Sequence, residues 1–205
     1  VWVVELAMGR GQVHDFIPAD TLIRESTPPT QLEYAGPALD IFKQVRLITH
    51  PPGYVFLLRL WCNFFGTTDL GTRGLSAVAS ALAVIVLFDI ARRLYGTRAG
   101  IWSALIMALA GPQVELAQEV RPYALLTFFS LICADLILIL AHTRPASSPP
   151  EKPPLKSRWY LLPILTVMIF VTMVTHYFAL GVMLGLGMFT VFFLRGRARW
   201  MVLSC

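Results

Sequence analysis

Two short runs of polar residues carry side chains that could do chemistry inside an otherwise greasy chain. Gln118-Glu119-Val120-Arg121-Pro122-Tyr123 offers an amide, a carboxylate, a guanidinium and a phenol within six positions. His50-Pro51-Pro52-Gly53-Tyr54 and Thr175-His176-Tyr177 each add an imidazole beside a phenol. Arg121, with His50 or Arg73 to assist it, suits a lipid-linked phosphate, because a guanidinium forms charge-assisted hydrogen bonds to phosphate oxygens. Tyr123 and Tyr177 suit the faces and hydroxyls of a sugar, and Tyr54 and Gln118 are further candidates for substrate binding. A carboxylate such as Glu119 could take a proton from an acceptor hydroxyl as a general base. A divalent metal held by His50, Glu119 and His176 is the alternative use of the same groups, since imidazole and carboxylate are ordinary ligands. Their segments lie too far apart for spacing to fix such a site, so no cofactor is assigned.

The elements that must position these groups are helices in a membrane. Of 205 residues, 56% are apolar and only 14% charged, and the mean hydropathy is +0.65. Soluble domains carry roughly 25% charged residues. The net charge of +5 therefore reads as loops on the cytoplasmic side of a bilayer, with no nucleic-acid partner. Cys62, Cys133 and Cys205 show no metal spacing and read as small hydrophobes.

Residues 1–50 differ from the rest, with six acidic and four basic side chains and breakers at Pro18, Pro28, Pro29, Gly36 and Pro37. They read as an extracytoplasmic loop. Within it, 38–48 sets Leu39, Phe42, Val45 and Ile48 on one face of a short amphipathic helix. From 51 to 205 the chain reads as a transmembrane helical region of a longer protein. Spans are expected at 74–91, at 99–110 (ending at Gly111-Pro112) and at 122–141. The uncharged 159–194 should form two helices bent near Thr175-His176-Tyr177. Segment 53–65 is too short to cross, because a bilayer core needs roughly 20 residues, so it should be re-entrant, interfacial or broken. The stretch 142–158, with five prolines, reads as a connector. The fold class is thus an all-α, polytopic bundle in the cell membrane.

Arginines mark one side of that bundle. Arg92, Arg93 and Arg98 share one turn, Arg144, Lys152, Lys156 and Arg158 sit in the connector, and Arg195, Arg197 and Arg199 follow the last span. By the positive-inside rule these turns are cytoplasmic, which sends 1–50, 111–121 and His176 to the outer face. Asp89 should pair with Arg92 and Arg93 at helical spacing, and Asp135 with an inner arginine. Pro122 disfavours helix at Arg121, so a break with exposed backbone is expected there.

Taken together, Gln118-Glu119-Val120-Arg121-Pro122-Tyr123-Ala124-Leu125 resembles the Q-E-x-R-x-Y-A-L signature of a GT-C superfamily group. That group includes protein O-mannosyltransferases and the transferase that adds aminoarabinose to lipid A. His50-Pro51-Pro52-Gly53-Tyr54 with Leu57, Leu58, Trp61 and Phe65-Gly66 is similar to its H-P-P-x-Y stretch. Ala91-Arg92-Arg93-Leu94-Tyr95-Gly96 and Thr175-His176-Tyr177-Phe178-Ala179-Leu180 resemble two further motifs, all in the family's order. The resemblance implies inverting transfer of a sugar from a polyprenyl-phosphate donor to a lipid, glycan or protein acceptor, among membrane lipids, at the outer face. It also implies a catalytic Asp-Glu pair just after a first transmembrane helix. Val1 to Glu5 resembles the residues immediately after that pair, so the pair is expected upstream, with Glu5 a poor substitute. A membrane transporter or lipid-binding protein without transfer chemistry is the alternative reading, and it would favour polar groups at mid-membrane depth.

Overall fold

The structure is a computed structural model that describes residues 2–9, 30–43, 51–141, 160–194 and 197–205. Every regular element among them is helical: α1 (Trp2–Ala7), a 3-10 turn (Leu32–Tyr34), α2 (Asp40–Lys43), α3 (Gly53–Phe65), α4 (Asp69–Tyr95), α5 (Thr97–Leu109), α6 (Gly111–Gln118), α7 (Tyr123–Leu140), α8 (Leu161–Thr175), α9 (Ala179–Phe193) and α10 (Arg197–Leu203).

α4 is the axis of the assembly. Its start is capped by the Thr68 hydroxyl, which accepts from Gly71 N–H at 3.1 Å. Its end is Gly96, whose φ of +90° is a left-handed conformation that favours glycine. Its buried face is made of small residues, among them Ser76, Ala79, Ser80 and Ala83, whereas Leu70, Ile85 and Leu82 point outward. Small side chains let backbones approach closely, and bulky apolar ones are at home in lipid. The helix is therefore built for a membrane rather than for water. α5 folds back on α4 so tightly that a Cβ on Gly100 would lie 2.9 Å from the Phe88 carbonyl oxygen.

α4 and α7 run parallel. Arg73 and Tyr123, near their starts, share one cavity, while Arg93 and Asp135, near their ends, are 3.3 Å apart. Asp89 pairs with both Arg92 and Arg93, so the expected pairings of Asp89 and Asp135 form one cluster. α8 and α9 make a hairpin beside α7: Leu161 and Leu194, at its open end, pack with Leu140 at the end of α7. Its bend at His176 meets Tyr123 at the start of α7. The bundle thus has one polar rim and one far end, and the far end carries Arg92, Arg93, Arg98 and the arginines of α10.

Several expectations change in detail. The stretch 99–110 ends before Gly111-Pro112 as expected, α5 stopping at Leu109, but a second helix, α6, starts there at 59° to it, because Pro112 falls in its first turn, where the missing N–H costs little. Among the described residues, two helices, α4 and α7, can cross a membrane by length and composition, or three counting the bent α5–α6 pair. α8 and α9, at 15 residues each, reach only about 22 Å. In α2 the buried residue is Ile41, whereas Leu39 and Phe42 are exposed. Ile41 fills the core between α1 and α3, so the amphipathic face is the opposite of the expected one. Val45 and Ile48 lie outside the described residues.

Candidate functional site

Three chain breaks meet at the rim. α6 ends at Gln118, and Glu119 is extended (φ −90°, ψ 141°). The backbone stays irregular through Arg121 until Pro122 opens α7, the outcome expected from proline's effect on its neighbour. The second break separates α8 from α9, where His176 is extended (φ −161°, ψ 147°). The third is the start of α3. A Cβ on Gly53 would lie 2.5 Å from the Val174 carbonyl oxygen, so only glycine lets the Pro51-Pro52-Gly53 turn sit directly against the end of α8.

Between the first two of these breaks lies a cavity of about 770 Å³. Its wall includes Gln118, Glu119, Arg121, Tyr123 and His176, together with Arg73, Glu115 and Val3. Four residues of the 118–123 run thus share a wall with His176, from a segment some fifty residues away, and with Arg73 of α4. Arg121 and Glu119 form an exposed ion pair at 3.4 Å. Exposed pairs contribute only about 0–1 kcal/mol, so this one can be exchanged for another anion at small cost. Arg73, from the first turns of α4, makes no ion pair with a described residue. His176 is buried, and its ring packs 5.2 Å from Tyr123 and 4.7 Å from Phe178.

The remaining candidates lie elsewhere. Tyr54 is 2% exposed in the core between α1 and α3, where burial pushes its phenol above the usual range, and it does not reach the cavity. Tyr177 is exposed and off the cavity wall, and so is its neighbour Phe178, although the Phe178 ring packs on His176 at 4.7 Å. Glu5 is fully buried in α1, also off the wall. His50 lies outside the described residues. Among those described, no group of three His, Cys, Asp or Glu side chains is arranged for a metal ion; the charged groups on the wall are the guanidiniums of Arg73 and Arg121 and the carboxylates of Glu115 and Glu119.

Sequence reasoning missed Glu115 and Val3. Glu115 stands one helical turn before Gln118 on α6, so the signal was a shared helix face. It was hidden because 111–121 was read as a turn. Beneath the rim, Leu75 and Val78 of α4 and Leu125 and Phe128 of α7 join α3 residues around a wholly apolar groove of about 310 Å³. It begins about half a helical turn past Arg73 and Tyr123 on the same two helices.

The family model for dolichyl-phosphate-mannose-protein mannosyltransferases matches residues 49–200. No curated protein and no solved structure matches the chain.

Proposed function

The chain belongs to the dolichyl-phosphate-mannose-protein mannosyltransferase family, a GT-C group of integral membrane glycosyltransferases that use polyprenyl-phosphate sugars, and from that premise we propose that the rim cavity is its sugar-transfer site. The cavity faces the outer side of the cell membrane, with the arginine-rich far end in the cytoplasm. Arg73 and Arg121 hold the donor phosphate, Tyr123 and Gln118 contact the sugar, and the apolar groove below lies where a lipid tail descends.

The reaction is an inverting displacement. An acceptor hydroxyl of a protein, glycan or lipid attacks the anomeric carbon as the bond from that carbon to the phosphate oxygen breaks. The bonding pair leaves on the phosphate, and the hydroxyl proton passes to a carboxylate at the rim. Glu119 is the described carboxylate that both the motif and the cavity put forward. Phosphate charge grows as that bond breaks, so guanidiniums aimed at it lower the barrier.

The observation that carries this reading is the meeting of the 118–123 run with Arg73 of α4 and His176 of the α8–α9 bend on one cavity. Transfer from a radiolabelled polyprenyl-phosphate sugar by the full-length protein tests it. Each lost charge-assisted hydrogen bond costs about 1.5–3 kcal/mol, so Arg73→Ala with Arg121→Ala should lower kcat/KM at least about a hundredfold. Undiminished turnover by that double variant would reject the site.

A further inference from the structure

Trp61 of α3 lies off the wall of the rim cavity, yet it touches α4 on both sides of Arg73. Its indole N–H donates to the Gly71 carbonyl at 2.8 Å. A Cβ on Gly74 would stand 3.3 Å from Cζ2 of the same ring, so the indole fills the space that a side chain at 74 would need. An indole can only donate, and in apolar surroundings it must find an acceptor; here that acceptor is helix backbone two residues before Arg73. The ring is also stacked on Phe65, with centroids 4.0 Å apart. The corner between the helices leaves no slack, because a Cβ on Gly71 would lie 2.6 Å from the Gly66 carbonyl oxygen. The end of α3 and the first turns of α4 therefore move as one piece, and Arg73 rides on it.

The same indole forms part of the wall of the apolar groove, with Leu60 and Phe64 of α3, Leu75 and Val78 of α4, and Phe128 of α7. Leu75 and Val78 stand on the turns just after Arg73, and Val78 and Phe64 are exposed, so the groove opens sideways where lipid lies. A free anion would leave this groove unfilled, and a neutral lipid would leave Arg73 without a counter-charge. A long apolar chain joined to a phosphate satisfies both. Resting on the reading of the cavity as the donor site, we propose that Trp61 is a positioning residue that ties recognition of the donor's tail to recognition of its phosphate. The isoprenoid tail packs on the ring, and the N–H, held on the Gly71 carbonyl, sets the turn of α4 from which Arg73 reaches the phosphate. Contacts remote from the anomeric carbon thereby hold a guanidinium where charge grows during transfer.

Two changes at Trp61 separate the ring from its N–H. Site-specific replacement by the benzothienyl isostere keeps the bicyclic ring and puts sulfur in place of the N–H, whereas Trp61→Ala removes the ring. In the full-length protein in lipid nanodiscs, farnesyl phosphate is the probe and farnesol its uncharged control. The isostere should bind farnesyl phosphate about two- to tenfold more weakly than wild type, the effect of one lost hydrogen bond, and should bind farnesol as wild type does. In an Arg73→Ala background the isostere should make no further difference, because Trp61 acts on the phosphate through Arg73 alone. Trp61→Ala should weaken farnesol as well, and Phe128→Ala repeats that arm of the test if Trp61→Ala does not fold. Unchanged farnesyl phosphate affinity in the isostere, or a loss that adds in full to that of Arg73→Ala, would overturn the proposal. So would wild-type farnesol affinity in the ring-deleted variant. A wild type that does not distinguish farnesyl phosphate from farnesol would instead overturn the donor-site reading, and the proposal with it.

Discussion

Gly53→Ala is the sharpest probe of how the rim is held together. The added Cβ would stand 2.5 Å from the Val174 carbonyl oxygen and 2.9 Å from its carbonyl carbon. Both are backbone atoms, so no side chain can swing aside. Ordinary contact begins at 3.4 Å, which obliges the start of α3 and the end of α8 to separate by about 0.9 Å. Forcing one extra carbon into a packed contact costs about 1–3 kcal/mol. Because both clashing atoms are backbone, the cost falls in the upper part of that range, and after better helix propensity returns up to about 1 kcal/mol the net loss is about 1–2 kcal/mol. For a chain of this size that is a drop of roughly 2–8 °C in Tm. Gly185→Ala in α9 is the matched control: nothing lies within 4 Å of its Cβ, so only the helix-propensity gain remains. Scanning fluorimetry of the two variants in the same detergent reads the difference, and sugar transfer should fall with Gly53→Ala alone, because His176 is displaced with the end of α8. An unchanged or higher Tm for Gly53→Ala would refute the close approach of α3 to α8 on which the rim depends.

Two further outcomes rest on contacts away from the cavity. Arg93→Gln and Asp135→Asn should each destabilise the bundle, yet together cost less than their sum by about 0.5–3 kcal/mol in a double-mutant cycle, because Arg93 bridges α4 to α7; additive losses would deny the bridge. Arg59 of α3 donates to the Gly36 carbonyl at 3.0 Å and to Met8 Sδ at 3.3 Å. Arg59→Leu should release the segment around Gly36, seen as faster proteolysis within 30–43, with a loss of about 1.5–3 kcal/mol, and unchanged cleavage would show that the guanidinium does not tie that segment down.

Periodicity and breakers governed how much could be read from residue order. α3 falls on its expected bounds because Gly53 and Gly66 frame an apolar run, and the break at Arg121 is the work of Pro122. The helical fold and the ion pairs of Asp89 and Asp135 needed only spacing and charge. The failures were choices between adjacent residues whose answer lies in a backbone angle. At the α8–α9 bend, two exposed aromatic rings come after the extended His176, and it is Phe178 that packs closer to the imidazole, at 4.7 Å against 6.5 Å for Tyr177. Tyr54 belongs to a motif that borders the rim, yet the first turn of α3 aims it into the core. Ile41 displaced Leu39 and Phe42 as the buried residue because the cleft between α1 and α3 exists only in three dimensions. Gly111-Pro112 has the composition of a stop and the position of a restart, and nothing local distinguishes them.

The Arg93–Asp135 contact has a mechanical consequence. Arg73 and Arg93 are twenty residues apart on one helix, a lever of about 30 Å. With its lower end pinned to α7, α4 can widen the rim by pivoting rather than sliding. A tilt of about 5° at that pin would carry Arg73 by roughly 2.6 Å on this lever, about the length of a hydrogen bond. A guanidinium at the tip of such an arm can grip or release an anion while the fulcrum and the packed helices beneath it stay in place.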